Sequence, residues 1–207
     1  MRDDDQQIIK FNQEKNFGYN DFFVSKANEH IIKFFDKWPN WEKKFLNISG
    51  EKFSGKSHLI NIFLKKFKGI KFEANLFDNN KLKQIKVHQN IIIENLNNNI
   101  DEKLFYTLIN MIDQDNKYLI ITSLDTIVDI DFKLNDLKSR ANNFLLQKIE
   151  KPNDELIFAL ILKNLSDRQI FLDKKLVNYI IKRIDRSYGK IFEFIYKIDE
   201  VSLKKKK

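Results

Sequence analysis

Gly50-Glu51-Lys52-Phe53-Ser54-Gly55-Lys56-Ser57 places two glycines five residues apart, followed by a lysine and a hydroxyl residue. This is the spacing G-x-x-x-x-G-K-[ST], in which the glycines let successive backbone N–H groups turn inward around phosphate oxygens. In that chemistry Lys56 reaches the outer phosphates and the Ser57 hydroxyl is a Mg²⁺ ligand. The helix that begins here turns its positive end toward the anion, and His58 stands at the edge of the candidate segment. Phe53 holds the fourth position. A bulky residue there tolerates a positive φ poorly, which predicts a modified loop with weakened nucleotide affinity.

A phosphate loop needs an acid at the end of a neighbouring strand to hold the Mg²⁺ shell, and usually a second acid that orients attacking water. Ile91-Ile92-Ile93-Glu94-Asn95 offers Glu94 for the first and Asn95 in the second place. An amide hydrogen-bonds a water but cannot accept its proton, so slow intrinsic hydrolysis with retained binding is expected. The plainer reading of Glu94 is an acid that ends a buried strand. Thr122 and Ser123 end the next apolar run, where a side chain can sense the terminal phosphate or cap the following turn. Arg140 could stabilise phosphoryl-transfer charge in an adjacent subunit, or serve as a solvated or ion-paired arginine.

These residues require strands and helices in a particular order. Lys44–Ser49 reads as a strand before the loop. Leu59, Ile60, Ile62, Phe63, Leu64 and Phe67 form a helical stripe after it, which Gly69 would stop as a C′ glycine. Ser25 is a candidate cap for a helix through Ala27, Ile31 and Phe35 that ends by Pro39. Ile70–Ala74, Asn90–Glu94, Tyr118–Thr122 and Phe144–Ile149 read as further strands, with helices after Asp101 and near Leu134–Leu137. The alternation predicts an α/β fold, a parallel sheet flanked by helices. Past Pro152, residues 154–165, 173–184 and 189–202 read as three amphipathic helices, with Asp173 and Ser187 as caps. The expected organisation is an arm over 1–20, an α/β nucleotide-binding base over 21–151, a small three-helix lid over 152–203 and a basic tail over 204–207.

The 207 residues carry no cysteine, which excludes disulfides, thiolate catalysis and Cys-ligated zinc. His30, His58 and His88 lack a metal-ligand spacing. No apolar run approaches the ~20 residues of a membrane span, and the acidic start is not a signal peptide, so a cytoplasmic protein with no membrane partner is expected. The net charge of +8 is a weak pointer to an acidic partner, since 37 basic residues are interleaved with 29 acids.

Taken together the chain resembles the DnaA/Hda branch of the AAA+ ATPases, most closely the alphaproteobacterial Hda-like (HdaA) regulators. The resemblance runs through Tyr19-Asn20-Asp21-Phe22-Phe23-Val24-Ser25-Lys26-Ala27-Asn28, Trp38-Pro39-Asn40-Trp41 and Ser54-Gly55-Lys56-Ser57-His58-Leu59. It continues in Asp136-Leu137-Lys138-Ser139-Arg140, Lys151-Pro152-Asn153-Asp154-Glu155-Leu156, Asp167-Arg168-Gln169 and Asp185-Arg186-Ser187. It implies an AAA+ base and lid that bind ADP or ATP with Mg²⁺, and it makes Arg140 the match to the arginine finger offered in trans. The family's lid arginine falls near Gly189, with Arg186 one turn earlier as the candidate. Gln6-Gln7-Ile8-Ile9-Lys10-Phe11 resembles the peptide with which Hda proteins dock on the DNA polymerase III sliding clamp. Gln6 would enter the clamp's polar pocket, and Ile9 and Phe11 its hydrophobic one. Such proteins bind the clamp on DNA and promote ATP hydrolysis by DnaA. The helix-turn-helix domain that follows the lid in DnaA has no counterpart before Lys207, which implies a regulator in place of an initiator. A homo-oligomer is compatible with this scheme. Two other readings stand beside it: a self-sufficient ATPase assisting DNA loading or remodelling, and a binding module whose nucleotide site has decayed.

Overall fold

The computed structural model describes residues 22–205. Five strands, β1 (Phe45–Ser49), β2 (Ile70–Glu73), β3 (Asn90–Leu96), β4 (Tyr118–Ser123) and β5 (Leu145–Lys148), form one parallel sheet in the order β2-β3-β4-β1-β5. Eight α-helices accompany them: α1 (Glu29–Phe35), α2 (Lys56–Lys66), α3 (Asn79–Ile85), α4 (Glu102–Gln114), α5 (Asn135–Ala141), α6 (Asp154–Ser166), α7 (Lys174–Ile181) and α8 (Tyr188–Lys205). The expected α/β architecture with a parallel sheet is present.

Both sheet faces are covered, so the central strands are apolar nearly throughout; Ile91, Ile92, Ile93, Leu119, Ile120 and Ile121 are fully buried. On one face Leu46, Ile48, Ile92 and Ile120 pack against Ile31 and Phe35 of α1 and Leu59, Ile60 and Phe63 of α2. On the other, Phe45, Ile91, Ile93 and Ile121 meet Ile85 of α3, Phe105 and Leu108 of α4 and Leu137 of α5. The chain leaves β1 in one direction along the sheet to reach β2, then returns the other way. Right-handed crossovers therefore put α2 and α3–α5 on opposite faces. Helices α6–α8 share a separate apolar cluster around Ile157, Ile161, Val177, Ile191 and Ile195. Arg168 ties its ends by donating from Nε to Asp199 Oδ2 (3.1 Å) and from Nη1 to the Asn164 carbonyl (2.7 Å).

Several local expectations change. Helix α1 starts after Asn28, not Ser25; the Asn28 carboxamide oxygen accepts from the Ser25 N–H at 2.9 Å, forming a turn before the helix. Gly69 is not a left-handed cap, because α2 ends at Lys66 and leaves through extended Phe67. Its glycine is required by a close approach: a Cβ there would lie 2.6 Å from the Asn90 carbonyl of β3. Helix α3, capped by Asp78 accepting from the Asn80 and Lys81 N–H groups, lacked a marked apolar stripe in sequence. Asp101 and Asp173 cap α4 and α7 as expected.

Candidate functional site

The loop Gly50–Ser57 leaves the C-terminal end of β1 and enters α2, next to the point where strand order reverses between β1 and β4. Open parallel sheets bind ligands at that place. The Gly50 N–H donates to the Ser123 and Leu124 carbonyls, anchoring the loop to β4. A Cβ at Gly50 would come 2.9 Å from Ser54 Oγ and 3.1 Å from Ile149 Cβ. Gly55 has φ +96° and precedes the first residue of α2, so its position favours glycine outright.

Phe53 adopts φ +69°, the left-handed conformation the motif demands, despite its side chain. The phenyl ring leaves the cradle and packs on Phe192 of α8 with ring centroids 5.1 Å apart, and the Lys52 ammonium lies 5.2 Å from its centroid. Phe53 thus accepts the left-handed backbone, and its ring makes an outward contact with the C-terminal helices. Ser54 Oγ is buried and has no hydrogen-bond partner among the described residues. Lys56 is buried, and its ammonium donates to the Gly50 carbonyl at 2.6 Å and the Glu51 carbonyl at 2.8 Å. Burial pushes its pKa down to about 8, with the Glu51 carboxylate partly opposing the shift. The His58 ring packs against Phe22 in a tilted contact, centroids 4.9 Å apart.

Glu51 does more than the motif asks. Its Oε2 accepts from the Ser187 hydroxyl at 2.9 Å and from the Tyr188 N–H at 3.0 Å, at the start of α8. The α8 cap thus comes from a loop residue, and the Ser187 hydroxyl donates to it instead of capping the helix itself. Tyr188 is buried, its hydroxyl donates to the Glu150 carbonyl at 3.1 Å, and desolvation together with Glu51 and Glu150 raises its pKa. Sequence spacing gave no sign of this junction, because its partners are 136 positions apart. Arg186 precedes it, yet its guanidinium pairs with Asp154 of α6 at 2.9 Å and is well exposed.

Glu94 and Thr122 occupy the C-terminal ends of β3 and β4, each two residues beyond an isoleucine (Ile92, Ile120) that packs under α2. Glu94 is only 2% exposed; Oε2 pairs with Lys71 at 2.9 Å, and Oε1 has no partner among the described residues. That orphaned buried oxygen fits a role in a Mg²⁺ shell. Asn95 sits at a register irregularity of β3 with φ +60°, its N–H donating to Thr122 Oγ1 at 3.0 Å and its amide to Glu73 at 2.8 Å. Asparagine is one of the few side chains that accept this backbone, so Asn95 has a structural cause beside the altered water-orienting position.

Arg140 lies elsewhere. It lies in the last turn of α5, near the N-terminal edge of the sheet, and pairs with Asp113 at 3.2 Å and Asn110 at 3.0 Å. Together with Lys43, Lys44 and Asn143 it lines a shallow open cleft. The five residues of β1 separate this edge from the phosphate loop by about 16 Å. Gln6, Ile9 and Phe11 lie outside the described residues.

Among solved structures, domain III of the Thermotoga maritima replication initiation protein DnaA superposes with a TM-score of 0.71 at 18% identity, covering 94% of this chain and 92% of that one. AMPPCP-bound DnaA from Aquifex aeolicus gives 0.69 at 18%, covering 89% of this chain and 65% of its own. The chain has a DnaA-like fold. The Thermotoga maritima RuvB Holliday junction branch migration motor is a more distant neighbour, at 0.59 and 13%, with 86% and 63% covered. The chain thus spans about two thirds of such longer proteins. No protein-family model and no curated protein matches it. No helix of the described residues is long and apolar enough to cross a membrane.

Proposed function

We propose that the protein binds an adenine nucleotide at Gly50–Ser57 and acts as an Hda-like regulator of replication initiation. In this reading Gln6, Ile9 and Phe11 dock on the sliding clamp, DNA is met through the clamp, and Arg140 is presented to ATP held by DnaA. The observation that carries it is the separation of the two halves of the chemistry: the phosphate loop and Arg140 stand at opposite edges of one sheet. An arginine so placed cannot reach the chain's own nucleotide and is suited to a neighbour's. The nucleotide is supported by the loop geometry and by the DnaA structure that holds AMPPCP.

At the chain's own site the loop N–H groups and Lys56 would hold the phosphates, and Ser57 with Glu94 would hold Mg²⁺, which screens phosphate charge when bound. Asn95 supplies no proton acceptor, so the residues favour retention over turnover. The Asp113 pair holds the Arg140 guanidinium until a partner's phosphate competes for it.

The test mixes the protein with clamp, DNA and ATP-loaded DnaA and follows ADP formation. Arg140→Ala is expected to remove the stimulation, which for a fully engaged arginine is on the order of 10³-fold, while clamp binding persists. Absence of stimulation by the wild-type complex would sink the regulator reading. A second reading, a docking module without nucleotide, draws on Lys56 turning onto the Gly50 and Glu51 carbonyls. Calorimetry with ADP separates it, since such a module gives no heat of binding.

A further inference from the structure

We propose that Lys71 is a built-in cation in the outer metal shell of this site, so that the chain holds adenine nucleotide with little dependence on Mg²⁺. The inference rests on the nucleotide reading above and specifies how that site works. Glu94, the acid positioned for the shell, is almost wholly buried, and a lone buried carboxylate is costly unless a cation meets it. The cation is Lys71 of β2, 2.9 Å from Glu94 Oε2. Its ammonium also donates to Asn61 Oδ1 of α2 at 3.3 Å. Asn61 is four residues after Ser57, hence on the same helix face one turn along. The ammonium is thereby held between the buried acid and the helix that carries the hydroxyl ligand.

Glu73, two residues further along β2, does not compete for Lys71 through its Oε2, which accepts from the Asn95 amide. A Mg²⁺ ion keeps most of its waters and relies on nearby carboxylate charge to hold them. Lys71 already offsets much of that charge through Oε2, leaving Glu94 Oε1 for the metal's waters, and its own positive charge opposes a second cation. Ser57 and the phosphate oxygens would then carry most of the hold on the metal. The Lys71 stem reaches the pair from the sheet edge while remaining about one-third exposed, so the pair can form without burying the whole side chain.

The experiment measures equilibrium binding of a fluorescent ADP analogue to the full chain in excess Mg²⁺ and in EDTA. The wild type is expected to change its Kd by less than about threefold between the two, and Lys71→Arg to behave likewise. Lys71→Gln is expected to bind at least about tenfold more tightly with Mg²⁺ than without. Wild-type binding that weakens about tenfold or more in EDTA overturns the inference alone, leaving the nucleotide site intact. Equal Kd values for Lys71→Gln in both buffers overturn it as well. No binding by the wild type in either buffer overturns the nucleotide reading and this inference together. Should Lys71→Gln fail to fold, the wild-type comparison decides by itself.

Discussion

Lys56 shows how one residue joins the loop's two demands. Its ammonium must lie inside the cradle to meet phosphates, and that burial lowers its pKa to about 8. In the proposed site a bound phosphate would restore the charged form, so nucleotide binding would take up a proton near that pH. Affinity is expected to fall by about eightfold from pH 7.5 to 9.0, as calorimetry in buffers of different ionisation enthalpy would record. The folded state without nucleotide has the opposite trend: Lys56 holds fewer protons than in the unfolded chain between about 8 and 10.5, so its contribution to stability rises with pH there. A flat affinity profile would show that Lys56 does not meet the phosphates. Phe53 and Asn95 belong to the same scale. Each occupies a left-handed backbone, but the sequence identified only Phe53 as unusual there. An isolated asparagine after a strand reads as a change in chemistry until the register break of β3 gives its backbone a reason.

Among the elements, α8 takes the cap of its start from a distant loop residue. Its first N–H is taken by Glu51, whose negative charge also meets the positive end of the helix, and Phe53 adds an aromatic contact to Phe192 one turn on. Glu51→Ala is expected to cost about 1 kcal/mol in urea unfolding, a typical cap loss. It should also raise hydrogen exchange in the first turn of α8 more than in β1. Unchanged protection there would mean that the Phe53–Phe192 contact and Tyr188 suffice to hold the helix. The helices themselves were largely legible: apolar spacing located α2, α4 and α6–α8 within a few residues, and Asp101 and Asp173 marked two starts. Helix α3 was missed because its seven residues bury only Ile85. Gly69 was misassigned because a glycine that ends a helix and one that admits a neighbouring strand look alike in sequence.

At the scale of the molecule, strand order decides who can meet whom. Parallel strands put the phosphate loop, Glu94 and Thr122 on one edge and Arg140 on the other. Arg140→Ala is therefore expected to leave ADP affinity within about twofold of wild type, checked by the same fluorescence titration. A larger loss would mean that the two edges communicate. The loop motif, the acid at the end of β3 and the alternation of strands and helices were determined by the sequence, because residue type and spacing along one element dictate them. What only the tertiary structure decided are the contacts that join distant elements: Glu51 with Tyr188, Lys71 with Glu94, and Arg140 with Asp113. Such pairs depend on which strands are neighbours and which side a crossover takes, and no local pattern of residues encodes that choice.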